Sequence, residues 1–318
     1  MRNGIPDKAK IDLHVHPYLE NYPIQDLISA AEKNGINILG LERYKDDVFP
    51  EISKKARQLP KEEYDVRRDN GTCIAVYNKE TKKTTYILRA TEIMTGDRNG
   101  NENFHFLGIG DISGLDIRKE KPFPKTEKCI ESIIKNESIA IIDHPYADAD
   151  HEYKSITKDK EKELESICNE FKRDITLEWN SYCIPSLRLP LEFISSLTNG
   201  DLTGYDVNKN AEKLAKRLSE HKIRIVADSD VHARNMGLLE GIGAGHIEIF
   251  KERMDYSSGK NIIKSIKNAI KIGELKDKER TAKGYNFGYE NIKNYVSISH
   301  FVEAFGVPAV LRMRQRRG

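Results

Sequence analysis

Short apolar segments alternate with amphipathic helical ones along most of this chain, and the first apolar segment constrains the fold most. Ile11-Asp12-Leu13-His14-Val15-His16-Pro17 reads as a buried strand with two histidines at its end. Side chains two apart on a strand share a side, so His14 and His16 converge while Leu13 and Val15 point away. Two imidazoles side by side at a strand end are what a divalent ion needs from the mouth of a barrel.

The alternation continues in order. A helix over 24–33, with Leu27, Ile28 and Ala31 on one face, stops at Asn34-Gly35, and 36–41 is the next strand. Residues 49–59 read as a helix and 60–70 as an exposed charged excursion. Segments 72–77 and 84–93 flank the polar turn 78–83 as a β-hairpin. After a loop at 97–103, strands at 104–109, 139–142, 175–179 and 223–227 interleave with helices at 127–134, 158–171, 208–221 and 261–272. Repeated βα units predict a parallel α/β sheet, open or closed into a barrel. From about Asn286 the alternation ceases. Residues 1–285 are therefore expected to form the α/β body, and 286–318 a helical appendage ending in the basic run Arg312-Met313-Arg314-Gln315-Arg316-Arg317.

Composition narrows the partners. A net charge of +2 makes no general case for nucleic acid, although the basic tail and Lys54-Lys55-Ala56-Arg57 lean that way. Cys73, Cys129, Cys168 and Cys183 form no CxxC pair, as expected of reduced thiols in the cytoplasm. No apolar run reaches membrane-span length and the N-terminus lacks a signal-peptide core, so a cytoplasmic protein without a membrane partner is expected.

The histidines and acids fall at recurring places. Glu92 lies near the end of the second hairpin strand, His105 is on the next strand, His144 ends another, and Asp230 with His232 ends a later one. Imidazoles and carboxylates delivered by successive strands to one side of an α/β fold build a multi-metal centre. Asp143 is either a partner behind His144 or a surface acid, and His221 at a helix end is a favourable C-terminal charge.

These residues resemble the PHP superfamily of metal-dependent phosphoesterases, named for polymerase and histidinol phosphatase. Asp12-Leu13-His14-Val15-His16 matches its Asp-x-His-x-His, Glu92 its middle-strand Glu, and His105-Phe106-Leu107-Gly108 its His-x-Leu-Gly strand. His144-Pro145 and Ser229-Asp230-Val231-His232 match the His-Pro and closing Ser-Asp-x-His elements, in order from about residue 10 to 245. The resemblance implies a distorted (β/α)7 barrel with a β-hairpin insertion and metal ions at its C-terminal mouth. It implies that His14, His16 and Asp230 hold one divalent ion, His105 and His144 a second, with Glu92 between them; Mn, Zn or Fe suits such a mixed shell.

One element departs from the pattern. Gly40-Leu41-Glu42-Arg43-Tyr44 places Arg43 and Tyr44 where the family carries Asp and His, and only Glu20 and Asn21 stand near the acid or histidine expected after the first pair. Two ions are expected, and the shell of a third is weakened. Arg43 either takes up a substrate phosphate or pairs with Asp46 or Asp47. Asp12 is expected to orient a ligating imidazole, and His232 to face the leaving group or the phosphate. Glu178, at a strand end, is a candidate for substrate binding or for a structural hydrogen bond. Arg234 either reaches phosphate or is exposed.

The function implied is hydrolysis of a phosphate ester by a hydroxide shared between the metals. Alternatives are a nuclease acting on single-stranded ends with the same site, and a catalytically weakened scaffold. Metal-dependent amide hydrolysis ranks last, because the lysine or acid arrangement it needs is missing.

Overall fold

The computed structural model describes residues 7–272 apart from 45, 70, 118–119, 149–150, 181–206, 234–235 and 244. The expected appendage at 286–318, its basic tail, Cys183 and Arg234 lie outside the described residues.

The elements run β1 (Lys8–Pro17), α1 (Ile24–Lys33), β2 (Ile38–Leu41), α2 (Phe49–Ala56), β3 (Tyr64–Asp69), β4 (Cys73–Asn78), β5 (Lys83–Gly96) and β6 (Glu102–Ile109). Then follow α3 (Thr126–Lys135), β7 (Ile139–Ile142), β8 (Ala147–Asp148), β9 (His151–Ser155), α4 (Lys158–Phe171) and β10 (Ile175–Asn180). The last are α5 (Val207–Arg217), β11 (Arg224–Asp228), β12 (Val231–Ala233), β13 (Ile247–Phe250) and α6 (Gly259–Ile272). The main sheet has the order β11-β10-β7-β6-β5-β2-β1-β12. It curls, because β11 at one end of that order runs directly into β12 at the other.

Three apolar clusters hold the layers together. One lies inside the curl, where Ile11, Leu13, Leu107, Ile141 and Val226 meet Ile262, Ile263, Ile266 and Ile270 of α6. Each of these aliphatic side chains contributes roughly 1.5–3 kcal/mol relative to exposure. These residues come from the starts of the parallel strands, so α6 covers the end of the curl away from the histidines. A second cluster packs α1 and α2 on the outside of β1, β2 and β4, and a third packs α3, α4 and α5 on β6, β7 and β10.

Two local departures from the expected plan matter for the site. Residues 60–70 are not an exposed excursion: 64–69 form β3, which pairs antiparallel with β4 and widens the hairpin to three strands. Ladder hydrogen bonds along that register outweigh the polarity of Asp65, Arg67, Arg68 and Asp69, whose strand needs only one neighbour. The sheet is also not wholly parallel. β6 runs antiparallel to both β5 and β7, so the beginning of β6 lies where the ends of its neighbours lie.

A β-bulge interrupts β1. Asp12 faces Leu39 and Val15 faces Leu41, so β1 carries one residue more than β2 over that interval. Leu13 therefore stays in the inner cluster while Val15 packs in the outer one, and the simple alternation breaks between Leu13 and His14. Gly40 makes room for this: a Cβ there would lie 2.2 Å from the Leu13 carbonyl oxygen. Gly40→Ala is expected to cost roughly 1–3 kcal/mol or more through overpacking against backbone. A denaturation midpoint equal to that of the parent chain would contradict this close approach.

Candidate metal centre

Five histidines and five acids meet at the mouth of the curl. β1 brings His14 and His16, whose Nε2 atoms are 3.0 Å apart. Asp230, in the turn between β11 and β12, places Oδ1 at 3.3 Å from His14 Nε2 and 3.1 Å from His16 Nε2. Glu92 on β5 reaches His105 Nδ1 with Oε1 at 2.6 Å and lies 4.0 Å from His16 Nε2 through Oε2. His105 arrives from the start of the antiparallel β6, and its ring lies 5.3 Å from that of His144, just past β7. His232 stacks on His16 with ring centroids 4.0 Å apart. All these side chains but His232 are buried.

The ligand atoms form overlapping groups, the atoms of each lying within 4.8 Å of one another. His14, His16, Glu42 and Glu92 make one; Glu92, His105, Asp143 and His144 make a second; His16, Asp230 and His232 make a third; and His14, Asp143 and Glu178 make a fourth. Glu92 belongs to the first two. Glu42 Oε1, His105 Nδ1 and both carboxylate oxygens of Asp143 are buried without a hydrogen bond of proper geometry. Buried carboxylates and imidazoles in that condition fit divalent cations. His144 and Asp230 have φ of +25° and +49°, a region costly for residues with a Cβ and frequent at functional sites.

Burial and the neighbouring carboxylates pull these imidazoles in opposite directions. Burial lowers the pKa of His14, but the carboxylates of Asp143, Asp230 and Glu178 outweigh it and raise the group well above its ordinary value. His16 is likewise depressed by burial and raised further by Glu42 and Asp230. At His105, burial opposes but Glu92 and Glu102 prevail, lifting the pKa to about 9. His144 is raised well above the ordinary range because Asp143 outweighs its desolvation. Asp230 goes the other way: burial would raise it, yet His14, His16 and His232 hold it well below the carboxylate range.

The other sequence-derived candidates are placed as follows. Asp12 does not contact an imidazole; its Oδ1 accepts from the Ser229 amide at 3.0 Å and its Oδ2 from the Gly243 amide at 2.8 Å. The reason is the β1 bulge, which turns Asp12 toward the end of β11. Arg43 stands at the rim of the mouth and pairs with Glu51 at 3.4 Å and Glu20 at 3.6 Å, whereas Asp47 pairs with Arg89. Glu178 does not line the cleft: it is fully buried behind His14.

Glu42 is the residue that sequence reasoning passed over. Its Oε1 lies 2.5 Å from His16 Nδ1 and 3.6 Å from His14 Nε2, and it is fully buried. The signal was there, since Glu42 follows the apolar Ile38–Leu41 as Asp143 follows Ile139–Ile142. The cleft above the cluster has a volume of about 320 Å³, with Tyr18 and Tyr44 on its walls. The Tyr18 hydroxyl lies 3.4 Å from His232 Nδ1, and the Tyr44 hydroxyl 3.4 Å from His105 Nε2.

No family model matches the chain, and no curated protein matches it by sequence. Solved structures do. The lesion-specific endonuclease PfuEndoQ of Pyrococcus furiosus is similar at 15% identity over 83% of this chain, with a TM-score of 0.45. The chain spans 56% of that endonuclease's length. A two-domain protein from Bacteroides vulgatus containing a predicted PHP-like metal-dependent phosphoesterase shares 13% identity, covering 84% of this chain and 67% of its own, with a TM-score of 0.45. A predicted metal-dependent phosphoesterase from Bifidobacterium adolescentis shares 10%, covering 69% and 86%, with a TM-score of 0.38.

Two outcomes are expected of the centre. His16→Ala should weaken Mn²⁺ or Zn²⁺ binding by more than the roughly 10–100-fold that losing an outer partner costs, as read by chelator competition. Affinity of the parent chain should rise with pH toward about 9, because below it His105 holds a proton the cation must displace. An affinity flat from pH 6 to 9 would contradict this.

Proposed function

We propose that the chain is a metal-dependent phosphoesterase whose centre holds two divalent ions side by side. The observation that carries the reading is Glu92, shared by two adjoining groups of buried ligand atoms under an open cleft. His14, His16, Glu42 and Asp230 would hold one ion, and His105, Asp143 and His144 the other. The nitrogen and oxygen donors suit Mn, Zn or Fe better than Ca. When bound, such a pair supplies a water activated at neutral pH and neutralises charge on phosphoryl oxygens.

The chain's own residues supply the remainder. His232 is 20% exposed at the cleft edge, held by stacking on His16 and by Asp230 Oδ1 at 3.5 Å. In this reading it hydrogen-bonds a phosphate oxygen or hands a proton to the leaving oxygen. Arg43 adds a fixed cation at the rim, steadied by Glu20 and Glu51, where an incoming phosphate passes. The cleft volume of about 320 Å³ accommodates one phosphorylated unit, either a small phosphomonoester or the end of a single strand. Among the described residues, no helix is long and apolar enough to cross a membrane.

The test is a panel of phosphomonoesters and single-stranded oligonucleotides with Mn²⁺, Zn²⁺ or Mg²⁺, run beside His14→Ala and Asp230→Asn. Phosphate release or strand cleavage that depends on the ion and drops at least about 100-fold in both variants is expected. Cleavage confined to oligonucleotides identifies the nuclease. Activity unchanged in the variants, or no activity with any ion, overturns the reading.

A further inference from the structure

The fully buried Glu178 joins two strands that carry ligands. Its Oε1 lies 2.7 Å from His14 Nδ1, and its Oε2 accepts the backbone amide of His144 at 2.8 Å. The other nitrogen of His14 faces away, toward His16 Nε2 at 3.0 Å, Asp230 Oδ1 at 3.3 Å and Glu42 Oε1 at 3.6 Å. A neutral imidazole carries one N–H, and a carboxylate only accepts. An imidazole that ligates an ion is neutral, and with Glu178 Oε1 and, at 3.3 Å, Asp143 Oδ1 both on the Nδ1 side, Nδ1 carries the proton and the Nε2 lone pair is aimed among the other ligand atoms.

We infer that Glu178 is a positioning residue that sets the tautomer of His14 and clamps the backbone of His144. It is fully buried and does not line the cleft, and in this reading it acts on the ion through these two residues. Outer carboxylates that hold a ligating imidazole in this manner govern ion affinity. The clamp on His144 has a second physical basis: with φ at +25°, that backbone is held away from its preferred regions and needs a strong acceptor for its amide. Glu178 is suited to this because β10 lies between β7 and β11, and Glu178 follows Leu177, which pairs with the last residue of β7, Ile142. The inference rests on the two-ion reading above and names what keeps its first ligand competent.

Glu178→Gln separates this role from a merely structural one. The amide oxygen of Gln still accepts the His144 N–H, but its NH₂ then faces His14 Nδ1 and opposes the proton there, which is left with Asp143 Oδ1 at 3.3 Å as its acceptor. Binding of Mn²⁺ or Zn²⁺ alone, by chelator competition, is expected to weaken about 10–100-fold, with both chelated proteins folded by circular dichroism. In a His14→Ala background the same substitution should cause no further loss, because the effect passes through His14. In the Zn²⁺-loaded parent chain, ¹⁵N imidazole shifts should show His14 bound through Nε2 with Nδ1 protonated, and this readout needs no variant to fold. A parent chain that binds ions while Glu178→Gln binds them equally well overturns the inference, as does equal loss in the His14→Ala background or ligation through Nδ1. A parent chain that binds no divalent ion overturns the proposed function, and this inference with it.

Discussion

The structure depends on a buried clasp between the first strand and the last strands of the curled sheet. Asp12 accepts the amides of Ser229 and Gly243, and Asp228 returns the contact by accepting the Leu13 amide at 2.8 Å. Both carboxylates are fully buried, and burial followed by the proximity of Asp12 pushes Asp228 up to about 8. A group so costly to bury is retained because it satisfies main-chain amides that no strand partner reaches. Just beyond the clasp, β1 pairs with β12 and sets His16 opposite His232.

From that clasp the site follows by backbone geometry. The β1 bulge lets Leu13 fill the interior and His14 still face the mouth, and Gly40 provides the space for it. Antiparallel β6 delivers His105 from its first turn of chain instead of its last. Strained backbone at His144 and Asp230 then aims the two remaining candidate side chains. Each device costs local stability, and the dense apolar packing on both sides of the sheet offsets it.

Much of the fold was legible because apolar periodicity and turn residues report local structure directly. The helices at 24–33 and 158–171 and the strand at 139–142 stand where their patterns place them. Residues 64–69 were not legible, since a polar strand at a sheet edge has no alternation to display. Within the site, His14, His16, Glu92, His105, His144 and Asp230 could be picked out as residue types that recur at strand ends. Glu42 carried the same signal, but attention to Arg43 and Tyr44 beside it obscured that. Asp143 and Glu178 could not be ranked, because an acid at a strand end looks identical whether it faces solvent, an ion or a neighbouring imidazole.

The sequence by itself determined the alternating α/β class and which residue types could supply a metal centre, since both are properties of short segments. Only the tertiary structure decided which of them meet. It turned Asp12 toward backbone amides, tied Arg43 to Glu20 and Glu51, buried Glu178 behind His14, and brought Glu42 between the first two histidines. Those outcomes rest on the bulge in β1, the reversed direction of β6 and the closure through residues 228–233. Such features depend on contacts between strands far apart in the chain, and no local pattern records them.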